Sequence, residues 1–120
     1  MPHIVFNQKI DLMDYSKKFI PIFKKEISMI KINDIFVNKE NNTALLPTIA
    51  ISEIHQQYFI EISTQKNKTT IRLYPETDPE KTHIVKTSMV LLAEQIITNY
   101  SNFQITKTNL NDYIKKILNA

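Results

Sequence analysis

The chain has no glycine, no cysteine and no tryptophan in 120 residues, and a single arginine, Arg72, among its fifteen basic side chains. Each absence closes off chemistry. Without glycine there is no Rossmann turn, P-loop, kinase loop or nucleophile elbow, because each needs a residue that turns tightly or lets backbone approach phosphate. Without cysteine there are no disulfides, zinc thiolates, iron–sulfur clusters or thiol nucleophiles, and nothing points to an oxidising compartment. The net charge of +3 is almost entirely a lysine excess. Lysine attracts phosphate without the forked geometry that reads bases, so nucleic acid is not an expected partner. No stretch approaches the roughly 18 to 20 apolar residues of a membrane span. The amino terminus also lacks the basic start and long apolar run of a signal peptide. A cytoplasmic protein with no membrane contact is the expectation.

What is present is enough apolar residue, 42% of the chain, for one core in a single domain over residues 1–120. With glycine missing, turns fall on Asn33-Asp34, Asn41-Asn42, Lys66-Asn67-Lys68, Tyr74-Pro75 and Ser101-Asn102. Residues 2–7 read as a strand that starts almost at the terminus, with Ile4 and Phe6 on one face and His3 and Val5 on the other. Phe19, Phe23, Ile27 and Ile30 recur at helical spacing and predict a helix from about Lys18 to Lys31, beginning near Ile20 because Pro21 suits a first turn. Period-two alternation predicts strands at Ile35–Val37, Thr48–Ser52, Tyr58–Ser63 and Thr69–Tyr74. Thr77-Asp78-Pro79-Glu80 has the form of a capping box and predicts a second helix running to about Tyr100. Its apolar surface, through Val85, Met89, Leu92 and Ile96, is wide enough to be covered on more than one side. A strand at Phe103–Lys107 and a short helix or tail at Asn111–Leu118 close the chain. The expected class is therefore α+β, ordered β-α-β…β-α-β, with two helices on one face of a mixed sheet.

Most candidate motifs have plain structural explanations. His3, His55 and His83 lie on different elements with no acidic or histidine neighbour at ligand spacing, so no metal is expected, and nothing calls for a cofactor. The Ser28-x-x-Lys31 and Ser63-x-x-Lys66 matches lack companion motifs and arise readily in a lysine-rich chain. Glu76, Asp78 and Glu80 suit a helix start, and the lysine pairs at 17–18 and 24–25 suit a solvated helix face, with an anionic partner as the other reading.

Pro2 is different. If the initiator methionine is removed, as is usual before a small residue, the proline nitrogen becomes a secondary amine. An α-amino group titrates near roughly 7.7 to 8.0, and burial lowers that value, so the amine can act as a base at neutral pH. The ring also holds the nitrogen rigidly on the first strand. A proline in second position also occurs with no role beyond permitting methionine removal, and that alternative stands beside the catalytic one.

With Met1-Pro2-His3-Ile4 at the start, the Ile20-Pro21-Ile22-Phe23-Lys24-Lys25 segment and the order of elements, the chain resembles the tautomerase superfamily. Its nearest likeness is to the 5-carboxymethyl-2-hydroxymuconate isomerase branch. Residue matching is confined to about the first 25 positions, and the remainder is an outline. The resemblance implies a cofactor-independent isomerase, a keto–enol tautomerase with Pro2 as general base on a small 2-oxo or enol acid. It also implies a homotrimer and carboxylate-binding cations. The family's usual arginines are absent: Ile35-Phe36-Val37-Asn38 and Thr77-Asp78 stand where two of them would be expected. Arg72, and Lys39 as a weaker substitute, are the candidate substrate-binding residues; the other reading of Arg72 is an arginine on the exposed face of a strand. The alternative is a non-catalytic homologue of the same fold, acting as a binding or structural protein.

Overall fold

The structure is a computed structural model that describes residues 1–118. Its elements run β1 (His3–Phe6), α1 (Leu12–Lys18), β2 (Ile22–Lys25), β3 (Met29–Ile32), β4 (Phe36–Val37), β5 (Thr43–Ile51), β6 (His55–Gln65), β7 (Lys68–Leu73), α2 (His83–Asn99), β8 (Ile105–Thr108) and α3 (Asn111–Leu118). The strands form one sheet in the order β2-β3-β5-β6-β7-β1-β8, with β4 pairing β5. The α+β class is as the sequence predicts. The expected mixed sheet is not found, since every hydrogen-bonded pair is antiparallel. The reason lies in where the first strand goes: β7 and β8 run parallel to each other, joined through α2, but β1 is inserted between them.

Alternation along the strands sets two unequal faces. Ile4, Phe6, Leu46, Ile60, Ile62, Ile71 and Leu73 are buried on the inner face. Helix α2 packs against β3, β5 and β7 there. Nine of its seventeen residues are buried, so it is covered on more than one side, with α3 packed against it as well. The buried Tyr58 hydroxyl on β6 shares a 2.6 Å hydrogen bond with Ser88 of α2, so the helix meets the sheet through a satisfied polar pair as well as apolar contact. Burial pushes the Tyr58 phenol up to about 12, although the Ser88 bond pulls the other way.

The segment predicted as a helix over Lys18–Lys31 is instead a hairpin, β2–β3, and the first helix is the short α1. Asp11 caps α1 by accepting from the Asp14 amide, and Phe19 leaves it with extended backbone just ahead of Ile20 and Pro21. A residue before proline is pushed out of the helical region, so the helix cannot run on through Pro21. Ile30 and Ile32 then alternate into the core while β3 adds to β5. Phe23 and Ile27, which had supplied the helical spacing, are left exposed at 58% and 107%.

The second helix begins at His83 with Thr82 as its cap, not at Thr77. Thr77 is used otherwise, donating to the Tyr74 carbonyl and accepting from the Phe59 amide. Gln56 of β6 binds both the amide and the carbonyl of Glu80, so that stretch pairs with a side chain on the sheet rather than with a helical turn. The final strand begins at Ile105, two residues later than predicted.

The lack of glycine leaves positive φ to Asn41 (58°), Lys66 (37°) and Asp78 (30°). Lys66 stands in the two-residue turn between Gln65 and Lys68, where a Cβ is sterically disfavoured. Replacing Lys66 with glycine is expected to stabilise the fold by about 1 kcal/mol, measured by denaturant unfolding. Ile60→Ala, at a fully buried site, is expected to cost about 2–5 kcal/mol in the same assay. Asp14 accepts from the Tyr100 hydroxyl at 2.7 Å and pairs with Lys18 at 3.1 Å, both of which hold its carboxyl below the ordinary 3.8. A depressed carboxyl stabilises the fold above its unfolded value and ceases to do so as pH falls through its folded value. Asp14→Asn should therefore lower Tm at pH 7, with the gap to wild type closing below about pH 3.8.

Candidate functional site

The amino terminus is held in place from both sides. In β1, His3 pairs with Arg72 of β7 and Ile4 with Thr108 of β8, so the strand carrying Pro2 has a neighbour on each edge. Pro2 is buried, while Met1 is 65% exposed. Two side chains at the end of β8, Thr108 and Asn109, hold the backbone on either side of Pro2. The His3 amide donates to Asn109 Oδ1 at 3.0 Å, the Asn109 Nδ2 donates to the Met1 carbonyl at 2.9 Å, and the Thr108 hydroxyl donates to the His3 carbonyl at 2.8 Å. The His3 ring adds a second donor to the Met1 carbonyl, from Nδ1 at 3.0 Å. With Met1 attached the Pro2 nitrogen is an amide and has no basicity, so any role as a base requires Met1 to be removed.

Arg72 projects from β7 on the face opposite Ile71 and Leu73, as the alternation implies. It is not a free cation. Its Nε donates to Glu61 Oε2 at 2.8 Å and its Nη2 to Glu61 Oε1 at 3.3 Å, a two-point pairing across the β6–β7 register. The hydrogen bond to Glu61 raises the guanidinium pKa. Glu61 is itself only 5% exposed although it stands on the face that no helix covers. The row Glu61–Arg72–His3 therefore crosses three adjacent strands, with a compensated ion pair next to His3.

Lys39 lies elsewhere. It sits in the turn after β4, and β4 is four strand spacings from β1, roughly 19 Å along the sheet. Within one chain, Pro2, His3, Arg72 and Asn109 gather at one place and Lys39 does not join them. Asn109 was not singled out by the sequence reading, and His3 was weighed only as a metal ligand. Asn109 lies 108 residues from Met1, and no local pattern marks it.

A cleft lies apart from this site. It has a volume of about 630 Å³ and lies between the β2–β3 and β5–β6 hairpin tips and the start of α2, lined by Glu26, Glu53, Glu80, Lys24 and His83 among others. It includes none of Pro2, His3, Arg72 and Asn109. Among the described residues no group of three acidic or histidine side chains is placed to hold a metal ion, and no helix is long and apolar enough to cross a membrane. Comparison with family models, with curated proteins and with solved structures finds no match to this chain.

The Glu61–Arg72 pair is open to a direct stability test. Removing the guanidinium leaves a buried carboxylate without its donors, which costs about 1–3 kcal/mol. Arg72→Met is expected to lose that much stability at pH 7, and the Glu61→Gln, Arg72→Met double variant to regain part of it, as read by denaturant unfolding. With Glu61→Gln measured as well, a loss in the double variant equal to the sum of the two single losses would show that the pair is not coupled.

Proposed function

We propose that this protein is a cofactor-independent keto–enol tautomerase in which Pro2, freed of Met1, is the general base acting on a small 2-oxo or enol acid. The observation that supports this most directly is the anchoring of a buried Pro2 by hydrogen bonds at the start of a strand paired on both edges. A terminal amine on an ordinary frayed end would neither hold a fixed position nor lose solvation. Here burial lowers the basicity of the amine toward neutrality and the strand aims it.

In the proposed reaction the Pro2 lone pair takes the enol hydroxyl proton. The oxygen forms a double bond to its carbon, the carbon–carbon π electrons move to the next carbon, and that carbon takes the proton back from the Pro2 ammonium. No net proton, electron or group is exchanged with solvent, so none of the steps needs a cofactor. Arg72, adjacent to His3 across the ladder, is the nearest of the two candidate cations to the base, and its Nη1 has no protein partner among the described residues. A homotrimer belongs to the same reading. The uncovered face of the sheet, together with Phe23 and Phe36 at 58% exposure each, supplies apolar surface for assembly.

A second reading, a non-catalytic homologue that binds or assembles without turnover, is favoured by one feature. The only arginine in the chain is already neutralised by Glu61, which weakens its hold on a substrate carboxylate. One experiment separates the two. With Met1 absent by intact mass, Pro2→Ala should slow ketonisation of a small enol acid by about 10²- to 10⁴-fold with Tm unchanged. An unaltered rate removes Pro2 from the mechanism, and a wild type with no rate above solvent favours the binding protein.

A further inference from the structure

The Met1 carbonyl oxygen occupies a position of chemical interest. It accepts from two side-chain donors at once, Asn109 Nδ2 at 2.9 Å and His3 Nδ1 at 3.0 Å, and it belongs to the peptide bond made by the Pro2 nitrogen. From the lengths of the C–N and C=O bonds, that oxygen is about 2.3 Å from the nitrogen. The Asn109 side chain cannot swing freely, because its own Oδ1 accepts from the His3 amide. His3 must carry its proton on Nδ1 to make its bond, which holds for one neutral tautomer and for the imidazolium.

We propose that Asn109 and His3 form a two-donor oxygen site beside Pro2, filled by the Met1 carbonyl while Met1 is attached and opened to substrate when it is removed. The inference rests on the tautomerase reading for its substrate class, an enol or 2-oxo acid. The group bound is the oxygen that carries negative charge in the enolate. When Met1 leaves, its carbonyl vacates the site, and an oxygen hydrogen-bonded to the Pro2 amine at about 2.8 Å stays within reach of both donors. Two N–H groups then face the developing charge next to the base that creates it, the Asn109 donor held in place by its bond to the His3 amide, in the arrangement that stabilises an enolate. Removal of the methionine thus has two effects at one point: it makes the base and it empties the site.

The test uses oxalate, a planar stand-in for the enolate of a 2-oxo acid, and two forms of the full chain. One has Met1 removed, confirmed by intact mass. The other carries a short extension ahead of Met1, so that the Pro2 nitrogen stays an amide. In the processed form, oxalate is expected to shift the Asn109 side-chain NH₂ resonances, and Asn109→Ala and His3→Phe are each expected to weaken binding about tenfold or more. In the extended form binding should be at least tenfold weaker and the Asn109 resonances unmoved. Equal affinity in the two forms, or binding in the processed form that leaves the wild-type Asn109 resonances in place, overturns the proposal even where a variant folds poorly. Pro2→Ala distinguishes this site from the base it adjoins. The oxalate-induced shift of the Asn109 resonances should persist in that variant, which keeps a terminal amine, while ketonisation is slowed. Persistent ketonisation there sinks the role of Pro2 and leaves the oxygen site standing.

Discussion

The placement of β1 between β7 and β8 is the constraint on which the rest of the structure depends. A terminal strand is ordinarily the first part of a domain to fray. Here Ile4 and Phe6 are fully buried in the core, and both edges of their strand carry ladder bonds. The exit of the strand is fastened as firmly as its start: the Thr69 hydroxyl donates to the Gln8 carbonyl and accepts from the Ile10 amide, while Asn7 exchanges bonds with Gln104. Freeing the terminus would mean breaking an internal strand out of the sheet.

The two faces of the sheet divide the labour. The inner face, packed under α2, supplies the apolar burial that stabilises a chain of this size. On the outer face the polar row Glu61–Arg72–His3 runs across three strands to the terminus. A carboxylate as buried as Glu61 requires a charged partner, and Arg72 meets that need with two of its nitrogens. The same pairing sets how much positive charge remains near Pro2, since a guanidinium balanced by a carboxylate attracts an acid less strongly than a free one. The pair also ties β6 to β7, the strand that neighbours β1.

Much of the fold was legible because burial on one face writes itself into alternation. The strands at β5, β6 and β7 and the core of α2 follow directly from period-two and helical patterns. The β2–β3 hairpin was not legible, since Phe19, Phe23, Ile27 and Ile30 satisfy helical spacing while Ile30 and Ile32 also satisfy a strand. Pairing to β5, a tertiary choice, decided between them. The capping signal at Thr77 was displaced for a related reason, because Gln56, distant in sequence, holds the backbone of Glu80. At the site, Pro2 was visible as a chemical oddity at the terminus, and the direction of Arg72 followed from strand parity. That Glu61 occupies Arg72, and that Asn109 faces Met1, come from strand order alone.

The central claim is that Pro2 becomes a buried, poised amine, and it is tested most directly by the pH dependence of amine-reactive labelling at the amino terminus, with intact mass reporting whether Met1 is present. The account predicts a processed chain whose proline is modified with an apparent pKa depressed below the roughly 7.7 to 8.0 of an exposed α-amino group. A retained methionine, or a proline that titrates like an exposed amine, would contradict it.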